Sequence, residues 1–264
     1  TEVVSADAMQ VYEGLPILTN QPDRPTRLVG VWPLAHEGSV GEFAELAHAA
    51  IDEVVEAHGV AVVAGGTGLY LRAALADLEL PPPPEAGARG RWEAAYDADP
   101  LGAFAELESR DPEAAALVHP NDRRRVVRAL ELAEAGASLA PNERRLWATE
   151  TRRPTLVVGL DLPRHVLELR IEERTDAMFA RGVVEEVRRA LEGTVSQTAA
   201  KALGLREVAE LPADEARDAI VRRTLRYAAY QRKWMRRIPG IVMIEAGRTP
   251  AEVADAILEV ARAR

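Results

Sequence analysis

The sequence predicts an α/β protein in which a parallel sheet is flanked by helices and interrupted by a helical insertion. Three observations carry this. The run Val3-Val4-Ser5-Ala6 reads as a strand that delivers Asp7 into a short polar turn. Val60-Ala61-Val62-Val63-Ala64 repeats the arrangement and opens into Gly65-Gly66-Thr67-Gly68. A long helical stretch then precedes a return to an apolar, β-branched run over 155–160. Strand ends of this kind collect chemistry along the carboxyl edge of a parallel sheet, where open α/β folds bind ligands.

The elements follow in order. The opening strand covers about 2–6, and a loop with Pro16, Pro22, Pro25 and Pro33 follows it. An amphipathic helix is expected over about 40–57, with Ser39 as N-cap and Glu42 as its capping-box partner. The buried strand 60–64 and the glycine turn come next. Strand, loop, helix and strand in this order predict parallel pairing through a right-handed crossover. Pro81-Pro82-Pro83-Pro84 cannot be helix and marks the clearest break in the chain. Short helices are expected at 91–96, 101–110, 112–118 and 122–135. After the strand 155–160 come one long helical pattern over 164–192, a helix over 213–237 and a short strand at 241–244. Thr249 caps a terminal helix with Pro250 at its first position. This divides the chain into a first part of the core at 1–80, a helical insertion at 81–153 and a second part of the core at 154–264.

Composition narrows the function. The 264 residues are 47% apolar with a net charge of −9. A sizeable core is possible, and a protein coated in positive potential is excluded. No apolar run approaches the ~20 residues of a membrane-spanning helix. Neither a signal peptide before the first strand nor membrane association is expected. The absence of cysteine excludes disulfides and thiolate metal sites and makes a cytoplasmic location the default. His36, His48, His58, His119 and His165 show no ligand spacing, so no metal ligand can be assigned. Two basic segments stand out: Arg123-Arg124-Arg125 with Arg128, and Arg222, Arg223, Arg226, Arg232, Lys233, Arg236 and Arg237. Such local patches can hold nucleic acid even on an acidic protein.

Each candidate has a plainer alternative. Asp7 suits a general base or a water-mediated cation ligand, and equally a turn residue that caps backbone. The glycine turn allows close approach to a ligand, with Thr67 offering a hydroxyl; it fits neither GxxxxGK[ST] nor GxGxxG. Arginines at the start of the 122–135 helix oppose its dipole, which a phosphate-rich partner would offset, as would Glu131 and Glu134 on a solvated face. Tyr227, Tyr230 and Trp234 interleave with the late arginines. They suit stacking on bases, and their helical spacing suits a core equally.

In order along the chain, these segments resemble the tRNA dimethylallyltransferase (tRNA isopentenyltransferase) family. The resemblance rests on Ser5-Ala6-Asp7-Ala8-Met9-Gln10-Val11-Tyr12, Gly65-Gly66-Thr67-Gly68-Leu69-Tyr70 and His119-Pro120-Asn121-Asp122 with Arg125 and Arg128-Ala129-Leu130. It continues through Arg170-Ile171-Glu172-Glu173-Arg174, Gly182, Glu185-Glu186-Val187, Ala202-Leu203-Gly204, and Arg226-Tyr227-Ala228 with Gln231 and Trp234. The resemblance implies a fold like the P-loop nucleotide kinases, with an insertion that contacts tRNA. It implies transfer of a dimethylallyl group from dimethylallyl diphosphate to N6 of an adenosine in a tRNA anticodon loop, with Mg2+ as cofactor. Asp7 and Thr67 match the catalytic positions. Asp7, Ala8, Met9, Gln10, Arg124, Arg125, Arg128, Arg226, Gln231 and Trp234 match tRNA-binding positions, and Lys201 takes a diphosphate-binding position often held by arginine. The family's GPTxxGKT loop is expected upstream of Thr1. Its His-His-Leu segment reads Thr26-Arg27-Leu28 here, and its Ala-Lys-Arg-Gln reads Ala228-Ala229-Tyr230-Gln231. A monomer is expected. The competing readings are an RNA-binding module without catalysis and a prenyltransferase acting on free adenine nucleotides.

Overall fold

In a computed structural model of the protein, residues 1–78, 85, 87–140 and 149–263 are described; the Pro81–Pro84 break lies outside them. The chain forms two compact units, residues 1–76 with 149–264, and residues 77–148. In the first, β1 (Val3–Ser5) pairs in parallel with β2 (Val62–Ala64), Val4 standing opposite Val63. The connection is α1 (Val40–His58), whose Phe43, Ala47, Ala50, Ile51 and Val54 recur at helical spacing and bury against Val4, Val11 and Tyr12. Ser39 caps α1 by accepting from the Glu42 amide at 3.1 Å. The reciprocal half of the expected capping box is absent, because the Glu42 carboxylate bonds the His36 ring at 2.8 Å instead.

The expected burial of the second strand is not met: Val60 is 57% and Val62 46% exposed. A β-ribbon of two strands, which is what the described residues form here, covers far less of a strand than a full sheet does. The glycine turn leads directly into α2 (Gly68–Leu75), a helix not among the elements expected from the sequence.

The second unit holds α3 (Ala88–Ala98), α4 (Pro100–Arg110), α5 (Pro112–Ala115) and α6 (Arg123–Glu134). Asp99, Asp111 and Asp122 cap α4, α5 and α6 by accepting from Gly102, Ala114 and Arg125 amides. In the first two, a proline occupies the first helical position. The predicted helix over 112–118 shrinks to one turn. Tyr96, Leu107, Val126, Val127 and Leu130 fill the core of this unit.

Chain exit and return are adjacent within the first unit. The Arg152 amide donates to the Leu75 carbonyl at 2.9 Å. Arg152 and Arg153 also grip Asp52 of α1. Beyond them β3 (Val158–Asp161) pairs in parallel with β4 (Val242–Glu245). The long helix expected over 164–192 is two helices, α7 (Arg164–Ala180) and α8 (Val183–Ala190). They part at Gly182, whose φ of +91° an α-helix cannot accommodate. A 3₁₀ turn (Ala199–Lys201) and α9 (Leu205–Glu210) precede α10 (Ala213–Met235), which packs on α7. The chain closes with α11 (Pro250–Arg262), whose capping box joins Thr249 and Glu252.

Candidate active site

Asp7 follows β1 directly, and its two oxygens have different duties. Oδ1 accepts from the Met9 amide at 2.8 Å and the Gln10 amide at 3.2 Å, which fixes the turn and the carboxylate together. Oδ2 accepts no hydrogen bond from any described residue, and the side chain is only partly buried. One carboxylate therefore serves as a turn cap and presents an open oxygen.

The glycine turn after β2 stands beside it. A Cβ on Gly65 would lie 2.4 Å from the Ala6 carbonyl oxygen, so the backbones of the two strand ends meet at a distance only glycine allows. The next residues are tied to α10. Tyr227 Oη lies 3.2 Å from Thr67 Oγ1 and donates to the Gly66 carbonyl at 3.2 Å, while Gln231 Nε2 donates to that same carbonyl at 2.8 Å. Burial raises the Tyr227 phenol above its usual pKa, with the negative charge of Asp7 acting in the same direction. At neutral pH Tyr227 is a neutral donor. Arg174 of α7 retains solvent access, yet desolvation pulls its guanidinium below the usual arginine range, with Asp7 opposing the shift. Asp7, Thr67, Tyr227 and Arg174 thus share one electrostatic neighbourhood.

The other expected site residues fall into distinct places. Ala8 is buried, and Met9 packs on the core around Leu15 and Leu18. Gln10 is occupied by scaffolding: its Oε1 accepts from Ser5 at 3.0 Å and its Nε2 donates to the Asn20 carbonyl at 2.8 Å. Trp234 is 6% exposed and lies against Gly68, so it supports the turn from beneath. Arg226 is exposed, without an acidic partner among the described residues. Lys201 is exposed at the end of the 3₁₀ turn. In the helical unit Arg124 is exposed and has no acidic partner among the described residues. Arg125 lies 3.8 Å from Asp122, and Arg128 bonds the fully buried Glu131 at 3.0 Å. Tyr227 and Arg174 were not among the expected site residues. Their signal was present in the motifs Arg226-Tyr227-Ala228 and Arg170-Ile171-Glu172-Glu173-Arg174, but nothing local tied either to Asp7.

The family model described as IPP transferase matches residues 10–238. The chain belongs to this family. Among curated relatives, a tRNA dimethylallyltransferase of Kineococcus radiotolerans is 38% identical, over 98% of this chain and 86% of that protein. One of Salinispora arenicola is 37% identical, over 98% of this chain and 79% of that one. A crystal structure of tRNA delta(2)-isopentenylpyrophosphate transferase from Staphylococcus epidermidis superposes with a TM-score of 0.67 at 26% identity, covering 100% of this chain and 91% of that one. A eukaryotic dimethylallyltransferase captured acting on tRNA superposes with a TM-score of 0.78 over 98% of this chain and 72% of that one; at 24% identity this likeness speaks for the fold. Like these IPP transferase relatives the chain is α/β, with small parallel sheets among helices. Among the described residues no helix is long and apolar enough to cross a membrane.

Proposed function

We propose that this chain transfers a dimethylallyl group from dimethylallyl diphosphate to the exocyclic N6 of an adenosine in a tRNA anticodon loop. Its curated relatives bear the name of that activity. The observation that carries the residue assignment is the divided duty of Asp7, with Oδ1 anchored by two amides and Oδ2 open.

The adenine N6 lone pair is delocalised into the ring, so the amine is a poor nucleophile. It gains a positive charge as its bond to carbon forms. In the proposed step the N6–carbon bond forms while the carbon–oxygen bond breaks, and the electron pair leaves with the diphosphate. The N6 proton passes to Asp7 Oδ2. The adenine must leave its stack to reach this oxygen. The Thr67 and Tyr227 hydroxyls, held together at 3.2 Å, supply neutral hydrogen-bonding groups beside it. We assign the cations Arg174 and Lys201 to the departing diphosphate, a fixed-charge role that stabilises what develops in the transition state. Arg124 and Arg226, with exposed guanidinium groups, are assigned to RNA phosphates.

Mg2+ belongs to this reading. Among the described residues no group of three or more His, Asp or Glu is placed to hold a metal, so no cage made of protein ligands is present. Mg2+ commonly keeps several waters and is held largely by substrate phosphates, so the ion would sit on the diphosphate, and Asp7 Oδ2 stays the proton acceptor. When bound, the ion neutralises charge on the diphosphate. A kinase-like sheet and a cytoplasmic location are part of the same proposal. What supports the first is that each strand pair is parallel and that the Asp7 and glycine turns follow the carboxyl ends of the neighbouring strands β1 and β2.

The test is Asp7→Asn, which keeps the Oδ1 acceptor and hence the turn. With an anticodon stem-loop as substrate, transfer should fall by roughly 10²- to 10⁴-fold, the usual worth of a positioned base, while RNA affinity is retained. Undiminished turnover would remove Asp7 from proton transfer.

A further inference from the structure

On α10, Tyr227 and Tyr230 stack on each other, ring centroids 6.5 Å apart and planes inclined by 24°. Tyr227 is pinned from the other side by Thr67 and the Gly66 carbonyl, so its ring orientation is fixed. Tyr230 then rests on a rigid neighbour with its own side chain 62% exposed. Tyr230 thus has an aromatic neighbour on one side and a ring left largely open to solvent.

Its surroundings are charged with one sign. Arg226 and Lys233 lie four residues before and three after Tyr230, on the same face of the helix, and both are exposed. Neither has an acidic partner among the described residues. Elsewhere on α10, Arg217 pairs with Asp176, Arg223 with Glu207 and Arg232 with Asp161, while Arg222 is exposed without an acidic partner among the described residues. Two of the three cations of α10 left without acids among the described residues flank the open tyrosine. Polyanionic ligands with flat apolar rings are the chemistry this stripe complements, which is that of unpaired nucleotides.

We propose that Tyr230, backed by Tyr227, is a stacking platform for an unpaired nucleobase of the RNA substrate, next to the base being modified. Arg226 and Lys233 take the phosphates on either side. Because Tyr227 bonds Thr67, the platform is mechanically joined to the turn beside Asp7. A base seated on Tyr230 thereby sets the register in which the following nucleotide meets the carboxylate. This rests on the RNA-directed reading above.

The test uses the full chain, anticodon stem-loops and dimethylallyl diphosphate. Tyr230→Ala should raise Kd and KM for the stem-loop roughly ten-fold, as loss of one stacked base does, and lower kcat as well, because the reacting nucleotide loses its register. Tyr230→Trp should restore wild-type affinity, since it keeps the aromatic face. With 2-aminopurine at positions flanking the reacting adenosine, one position should show a fluorescence change on binding that Tyr230→Ala removes. If wild type transfers the prenyl group and Tyr230→Ala binds and turns over the stem-loop unchanged, the platform is refuted while the enzymatic reading stands. If wild type shows no transfer but binds RNA in a manner dependent on Tyr230, the platform stands and the enzymatic reading falls. An affinity loss that tryptophan does not restore also overturns the proposal, because it would place the effect in the hydroxyl instead of the ring.

Discussion

At the scale of single residues, Asp7 and Gly65 divide the work of the site. In the proposed mechanism Asp7 supplies the base, and the bonds to its turn-capping oxygen fix the position of the carboxylate. Gly65 provides proximity: nothing larger fits against the Ala6 carbonyl, one residue before Asp7. Gly65→Ala must therefore displace backbone, not a pliable side chain. We expect a loss of about 1–3 kcal/mol in stability, the range for overpacking, and a drop in prenyl transfer larger than the stability loss accounts for. Urea denaturation paired with single-turnover kinetics measures the two. A variant with wild-type stability and turnover would show that the strand ends separate without cost. Trp234 illustrates a supporting duty, since it packs against the turn at Gly68.

Among elements, α6 shows how a basic helix start can be built for two purposes. Arg123 pairs with Asp97 at 2.7 Å, Arg128 with Glu131, and Arg124 is left to solvent. Glu131 is the energetic centre, since its side chain is wholly buried and Oε1 has no hydrogen-bond partner. Arg89, 3.8 Å away, adds charge but no short bond. Removing one partner from a buried pair leaves a charge that water cannot reach, which costs about 3–5 kcal/mol. Arg128→Ala should destabilise the helical unit by that order in chemical denaturation, and Arg128→Ala with Glu131→Met should recover most of it. Arg124→Ala, by contrast, should leave stability unchanged. If Arg128→Ala proves as stable as wild type, its pairing with Glu131 is not what holds α6.

For the whole molecule, the first unit is discontinuous in sequence and is fastened where the chain returns to it. Asp52 of α1 meets Arg152 at 2.9 Å and Arg153 at 2.8 Å, next to the backbone bond from Arg152 to Leu75. Hydrogen bonds from Arg152 and then Arg153 hold the Asp52 carboxyl below the usual aspartate pKa. A depressed folded-state pKa contributes stability that is fully present above the unfolded value, about 4, and is lost as pH falls through the lower folded value. Wild type should thus lose Tm on acidification more steeply than Asp52→Asn, with the two curves converging once pH has fallen below the depressed folded-state value. Parallel curves across pH 7 to 2.5 would mean the clamp contributes nothing to folding.

The sequence alone determined the local decisions. The β1 strand, the caps at Ser39, Asp122 and Thr249 and the long α10 could be read because each depends on neighbours a few residues away, and the parallel sense of β1 with β2 followed from the order strand, helix, strand. Gly182 was harder, since a glycine inside an apolar periodicity gives no notice that φ will be positive. Tyr227, Tyr230 and Trp234 could not be sorted at all: spacing on a helix defines a face but not which face meets the core. Only tertiary structure placed Trp234 beneath Gly68 and left Tyr230 in solvent. It alone joined Tyr227 to Thr67 across 160 residues, and Glu186 to the Ile17 and Leu18 amides across a similar span. Backbone preferences act within a turn of chain and are written in adjacent letters. Contacts between distant side chains exist only once burial of apolar surface has brought their elements together.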